Sequence, residues 1–151
     1  MAILQKGDKA PEFALRCQDG SEVKSSDVQG KILLSFHPLA FTPVCTDQMR
    51  DLENHYDEFI EMGVTPFGVS VDAHPSKGVW ALSMGLEKLK MLCDFNPKGE
   101  LAEACGVYID KAGISSRAAL LIGDGKVLWS KQYEVHERPC IDELLKACKE
   151  N

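Results

Sequence analysis

The spacing of apolar positions changes along the chain, and the changes mark out the elements. Ile32, Leu33, Leu34 and Phe36 make a short, nearly continuous apolar run after Gly30, the pattern of a strand buried on both faces. The run VTPFGVSV over 64–71 predicts a second strand, with Pro66 weakening its start because proline cannot donate to a ladder. Between the two the period lengthens. Met49, Leu52, Tyr56 and Phe59 fall three and four residues apart with Ile60 beside them, while Asp51, Glu53, Asp57 and Glu58 take the opposite face. That predicts one helix, closed by Gly63. Pro75 opens another helical stretch carrying Val79, Trp80 and Leu82. A short strand is predicted over 89–93 and a short helix over 99–104, between Pro97 and Gly106. AALLIG (118–123) and KVLWS (126–130) flank Asp124-Gly125, a hairpin signal because both central positions of the tight turn need positive φ. Ile141, Leu144, Leu145 and Cys148 form an amphipathic C-terminal helix after Pro139, and Phe13–Leu15 with Val23 predict a small N-terminal hairpin.

The order is strand, helix, strand, helix, antiparallel hairpin, helix. A right-handed crossover joins the first two central strands. The expected architecture is therefore α/β: a mixed central β-sheet with helices on both faces and an N-terminal β-hairpin extension, a thioredoxin-like layout. With 151 residues, one domain over 1–151 is expected.

A net charge of −6 argues against a nucleic-acid partner, which calls for a basic patch or stripe. No apolar run approaches the roughly eighteen residues that cross a membrane, so no membrane partner is expected. The start, MAILQKGDKAPEF, lacks the apolar core of a signal peptide, and the chain reads as cytoplasmic.

Cysteines stand at 17, 45, 93, 105, 140 and 148, with no C-x-x-C pair. Most are expected to be reduced thiols, and a buried one is simply a small hydrophobe. Position 45 is different. The stretch HPLAFTPVCTDQMRDLE, 37–53, follows the first central strand and leads into the helix, and ligands of open α/β sheets gather at the carboxyl ends of strands. Thr42 suits the N-cap and Pro43 the first helical position, which puts Cys45 in the first turn. Backbone N–H groups there lack intrahelical partners and the helix dipole favours negative charge, so the thiol is expected to ionise readily. Cys45 also lies four residues before Met49 on the apolar face, so these features alone leave core packing and nucleophile both open.

Pro38, Thr42 and Cys45 stand in the spacing P-x-x-x-T-x-x-C, here PLAFTPVC, which resembles the active-site loop of peroxiredoxins. GVSVDAHPSKGVW (68–80) is similar to that family's second-strand region, and SSRAALLIGDGKVLW (115–129) to the segment that bears its active-site arginine. The resemblance spans about residues 7–148. It implies a thiol peroxidase with Cys45 as the nucleophile that becomes a sulfenic acid, Thr42 bonding the reacting oxygen, Pro38 shielding the thiolate, and Arg117 holding thiolate and peroxide. It also implies that Gln48 orients the arginine. No cofactor or metal is implied. The expected partners are a hydroperoxide, a thiol reductant such as thioredoxin or glutaredoxin, and a second copy of the chain in a homodimer. Each residue also has a plainer reading: Arg117 as a solvated surface charge, Thr42 and Pro38 as cap and turn, Gln48 as an exposed helix residue, Trp80 as core.

Reduction of the sulfenic acid requires a second thiol. The helix position five residues past Cys45 is Arg50, so the resolving cysteine of one subgroup is absent, and Cys93 sits at a strand end rather than in the helix another subgroup uses. Cys140 is the first choice, then Cys148 and Cys17, and a one-cysteine mechanism with an external thiol is equally open. Two features that the resemblance links to easy over-oxidation, a G-G-x-G near 95–100 and a Tyr-Phe pair in the tail, are absent, so the resemblance implies tolerance of high peroxide. Rival readings are a thiol–disulfide oxidoreductase, which would want a cysteine where Thr42 or Gln48 stands, and a non-enzymatic redox sensor. A metal site finds no ligand spacing, and His37, His55, His74 and His136 are expected on the surface or in loops.

Overall fold

The computed structural model describes residues 2–151. Strands β1 (Ala14–Cys17), β2 (Glu22–Lys24), β3 (Lys31–Phe36), β4 (Val64–Ser70), β5 (Lys90–Cys93), β8 (Arg117–Gly123) and β9 (Lys126–Tyr133) form one sheet in the order β2-β1-β5-β4-β3-β8-β9. Strands β6 (Tyr108–Ile109) and β7 (Ile114–Ser115) pair separately. The helices are α1 (Pro43–Asn54), α2 (Tyr56–Glu61), α3 (His74–Met84), α4 (Glu100–Ala104) and α5 (Ile141–Glu150).

Strands β3, β4 and β5 run parallel, and β8 runs antiparallel to β3. The connections β3 to β4 and β4 to β5 step across the sheet in the same direction. The right-handed crossover rule then puts α1, α2 and α3 on one face. Leu33, Ala119 and Leu121 of the sheet pack there with Met49, Leu52, Phe59, Trp80 and Leu144. On the other face Ile32, Leu34, Phe36, Phe67 and Val69 pack with Leu101 and Ala102 of α4. Helices do cover both faces, unevenly. Buried on both sides, β3 and β4 read as continuous apolar runs. Gly68 matters to this packing, since a Cβ at that position would overlap Met49 Sδ and push α1 off the sheet.

The structure departs from the sequence pattern in four places. The single helix expected from Met49 to Ile60 is two, α1 and α2, broken at His55 (φ −107, ψ 13). The apolar period runs on because both pieces bury the same side, so a one-residue break leaves no mark in it. The N-terminal hairpin β1–β2 is the sheet's own edge, with β1 also pairing antiparallel to β5. The small β6–β7 pair was not anticipated, since two-residue strands have no period to read. Finally, α3 buries Lys77, Trp80 and Ala81, while Val79 and Leu82 are 61% and 82% exposed. Among the described residues, no helix is long and apolar enough to cross a membrane.

Candidate active site

The carboxyl ends of β3, β4 and β5 open on one edge of the sheet, and the segment after β3 turns there into α1. Phe41 takes a left-handed backbone (φ 66) and its ring lies 6.1 Å from that of Trp80. The bend is costly for a bulky residue and reverses the chain into the helix. Ala40 N–H donates to Asp72 Oδ2 (2.9 Å), which also accepts from Ser70 Oγ (2.6 Å), so the end of β4 anchors the turn. Pro38 is buried. Thr42 is the N-cap residue, in extended conformation, yet its hydroxyl donates to Leu39 O (2.9 Å) instead of capping the helix. Pro43 begins α1, and Cys45 follows in its first turn with no exposed surface. The N–H groups of Val44 and Cys45 belong to the set that a helix start leaves without intrahelical acceptors.

Strand β8 delivers the arginine by register. Phe36 pairs with Ala118, so Arg117 lies opposite position 37, just past the end of β3. Strand alternation sends Arg117 to the same face as Ala119 and Leu121, the face that α1 covers. Its Nη1 donates to Cys45 Sγ at 3.3 Å and to Gln48 Oε1 at 2.6 Å, while Nε and Nη2 donate to Val135 O at 3.0 and 2.7 Å. Gln48 is fixed in turn, its Nε2 donating to Ser35 Oγ (2.7 Å) and Phe36 O (3.1 Å). Arg117 is 3% exposed and Gln48 is buried, so the plain surface readings of both fail. A guanidinium with four oriented hydrogen bonds, one of them on a buried sulfur, sets a fixed positive charge directly against that sulfur.

A buried cysteine in a helix's first turn, gripped by a strand-borne arginine, calls for comparison with known proteins. The model of the AhpC/TSA family matches residues 6–130. The chain belongs to the AhpC/TSA family. Among similar proteins, alkyl hydroperoxide reductase E of Mycobacterium tuberculosis is 34% identical over 80% of this chain and 79% of its own length. The thioredoxin-dependent peroxide reductase, mitochondrial, of Drosophila melanogaster is 33% identical over 99% of this chain and 68% of its own. Among solved structures, the reduced 2-Cys peroxiredoxin of Plasmodium vivax superposes with a TM-score of 0.85 at 28% identity, covering 96% of this chain and 80% of that one. The peroxiredoxin resemblance and the thioredoxin-like fold therefore hold.

In this AhpC/TSA protein the remaining cysteines are not equivalent. Burial pushes Cys93 and Cys148 up to about 11, against a downward pull from Lys77 on the first and Lys31 on the second, and pushes Cys105 up to about 12. Cys17 is also buried, its thiol donating to Asp19 Oδ1 at 3.0 Å, whereas Cys140, the residue before α5, is exposed. Cys93 lines a cleft of about 540 Å³ with Arg16, His74, Pro75 and Phe95.

His37 lies in the loop after β3, one of the two places expected for the histidines, but it is fully buried there rather than exposed. It follows β3 directly, and its ring packs 5.2 Å from that of Trp80. Lys77, also without exposed surface, donates to His37 Nε2 (3.0 Å) and to Leu92 O (3.2 Å). Neither this pair nor Asp72 figured in the sequence reading. One signal was present: Lys77, Trp80, Ala81 and Met84 recur at spacings of three and four, so the lysine sits in the helix's buried stripe.

Proposed function

We propose that this chain is a thiol-dependent peroxidase that reduces hydrogen peroxide and organic hydroperoxides through the Cys45 thiolate. The observation that carries the reading is the buried 3.3 Å contact from Arg117 Nη1 to Cys45 Sγ. The sulfur's electron pair forms an S–O bond with one peroxide oxygen. The O–O bond breaks, its electron pair stays on the leaving oxygen, and protonation releases water or an alcohol. Cys45 becomes a sulfenic acid.

Each neighbour has a task that follows from its place. Arg117 is a fixed donor that stabilises the thiolate beforehand and faces the charge that develops on oxygen, the largest kind of catalytic contribution. Gln48 holds one nitrogen of that guanidinium in position. Thr42, one turn before Thr46 and with its own hydroxyl tethered to Leu39 O, offers the lone pairs of that hydroxyl to a protonated peroxide oxygen. Pro38 keeps bulk water off the sulfur.

Recovery of the thiol falls to Cys140 or to an external thiol. A resolving thiol must be accessible and able to ionise. Cys140 is exposed, while Cys93, Cys105 and Cys148 are buried and their thiols are held protonated near neutral pH. That ranks Cys140 above Cys148. The Drosophila relative is named for dependence on thioredoxin, which supports a thioredoxin-type reductant here. Six unpaired cysteines fit a reducing compartment such as the cytoplasm, and a homodimer completes the reading.

The decisive experiment is peroxide consumption with dithiothreitol as reductant, comparing the natural chain with Cys45→Ser. The variant is expected to be inactive; turnover by it would end the proposal.

A further inference from the structure

Lys77 is a cation with no exposed surface, and no carboxylate is bonded to it. Burying such a charge is expensive, and a structural lysine would be expected to find an acid. Asp72 is instead bonded to Ala40 N–H and Ser70 Oγ, and Asp94 to the N–H groups of Leu101 and Ala102. What Lys77 does hold is a histidine. An ammonium has no acceptor, so His37 Nε2 accepts and the ring proton sits on Nδ1. Among the described residues, that Nδ1 is the one buried side-chain nitrogen or oxygen with no hydrogen-bond partner. The Leu39 backbone approaches the ring without reaching hydrogen-bond geometry. A buried donor left open beside a reaction centre is where a substrate oxygen would bond.

The ring is beside the centre. Along β3, Leu33, Ser35 and His37 alternate onto the face that α1 covers. Gln48 of α1 bonds Ser35. Cys45 lies about one turn nearer the start of α1, close enough for its charge to act on Lys77, the partner of His37. Arg117 reaches the same place from β8 by register.

We propose that Lys77 and His37 form a proton relay for the leaving oxygen, with His37 touching that oxygen and Lys77 acting through it. The proposal rests on the thiol-peroxidase reading of Cys45. As the O–O bond breaks, the leaving oxygen takes the Nδ1 proton, and the Lys77 ammonium passes one to Nε2. The products are an alcohol or water, the Cys45 sulfenic acid, a neutral Lys77 amine and a neutral imidazole of the other tautomer. The thiolate's negative charge and the ammonium's positive charge cancel, and the amine recovers its proton from water.

The relay works only while Lys77 is protonated. Burial lowers its pKa to about 8, opposed by Cys93, Asp72, Cys45 and Asp94, the charged and titratable groups that act on it from β5 and the residue after it, the turn after β4, and α1. His37 itself stays neutral, pushed far down by burial and then by Lys77 and Arg117.

The test is the rate of Cys45 oxidation by hydrogen peroxide between pH 6 and 10, measured by rapid mixing. Above about pH 8 the natural chain should slow tenfold per pH unit, a fall that thiolate formation cannot cause because it rises with pH. Lys77→Met should be at least tenfold slower at pH 7 and flat above pH 8. Lys77→Arg, which keeps the charge but cannot give up the proton, should be as slow as Lys77→Met. If Lys77→Met does not fold, His37→Gln takes its place. It has no donor at the Nδ1 position and should be slow and without the alkaline fall. A natural chain with no fall above pH 8, or a folded Lys77→Met or Lys77→Arg with the natural rate and profile, overturns the relay. Inactivity of Cys45→Ser alongside either result means that the relay alone has failed, whereas activity of Cys45→Ser means that the peroxidase reading has.

Discussion

One nitrogen of Arg117, Nη1, donates to both Gln48 Oε1 at 2.6 Å and Cys45 Sγ at 3.3 Å. The shorter bond sets the direction of the longer one, because Gln48 is itself pinned to β3 through Ser35 and Phe36. Gln48→Leu keeps the volume and removes the anchor. Its rate of reaction with hydrogen peroxide is expected to fall about tenfold, an effect of positioning rather than of lost charge. A rate equal to that of the natural chain would mean that Val135 O alone orients the guanidinium.

Arg117→Ala removes the donor itself. Loss of one such preorganised donor reduces rate by roughly 10²–10³. Arg117→Lys keeps the charge but cannot bond Val135 O, Gln48 and sulfur together, so it should recover only a minor part. Competition against a reference peroxidase measures both rates, and full activity in either variant would remove Arg117 from the mechanism.

Lys77 also makes stability depend on pH. Its folded pKa, about 8, lies below the ordinary 10.5. Below pH 8 both folded and unfolded states carry the proton, and the penalty of burying the charge is felt in full. Between 8 and 10.5 the unfolded chain binds more protons than the folded one, so stability rises with pH. Relative to Lys77→Met, the natural chain should gain on the order of 3 kcal/mol from pH 7 to pH 10.5, read from urea midpoints. A constant difference would show that Lys77 does not titrate inside the fold.

Cys140→Ser should leave the first oxidation unchanged and slow recovery of the Cys45 thiol at limiting reductant. Mass mapping after one equivalent of peroxide should find Cys45 joined to Cys140 in the natural chain. Unchanged recovery, with no such disulfide, would assign the second step to an external thiol.

The central strands, the Asp124-Gly125 hairpin and the helix bearing Cys45 were legible because each rests on a local rule: apolar period, turn chemistry or capping. Asp124 and Gly125 do take positive φ, 51 and 73. The site's motif was legible too, since Pro38, Thr42 and Cys45 lie within eight consecutive positions. What stayed hidden depends on distant partners. Arg117 was marked by the family resemblance alone, because what makes it a buried neighbour of the sulfur is the β3–β8 register and Val135 O, eighteen residues on. His37 is held by Lys77, forty residues away, and packs against Trp80. The buried face of α3 was left unassigned because Val79 and Leu82 look apolar, while a lysine in a buried stripe looks like an error until its acceptor is known.

Cys45 has no exposed surface, and that divides its working cycle into two demands of different size. A peroxide group is two atoms across and asks for only a narrow opening past the loop. A second sulfur with its own chain attached cannot, so the opening turn of α1 must come apart before any disulfide forms. How readily that turn unravels therefore governs regeneration. Substitutions that merely stiffen residues 42–46 would trap the protein in its oxidised form without touching a single reacting group.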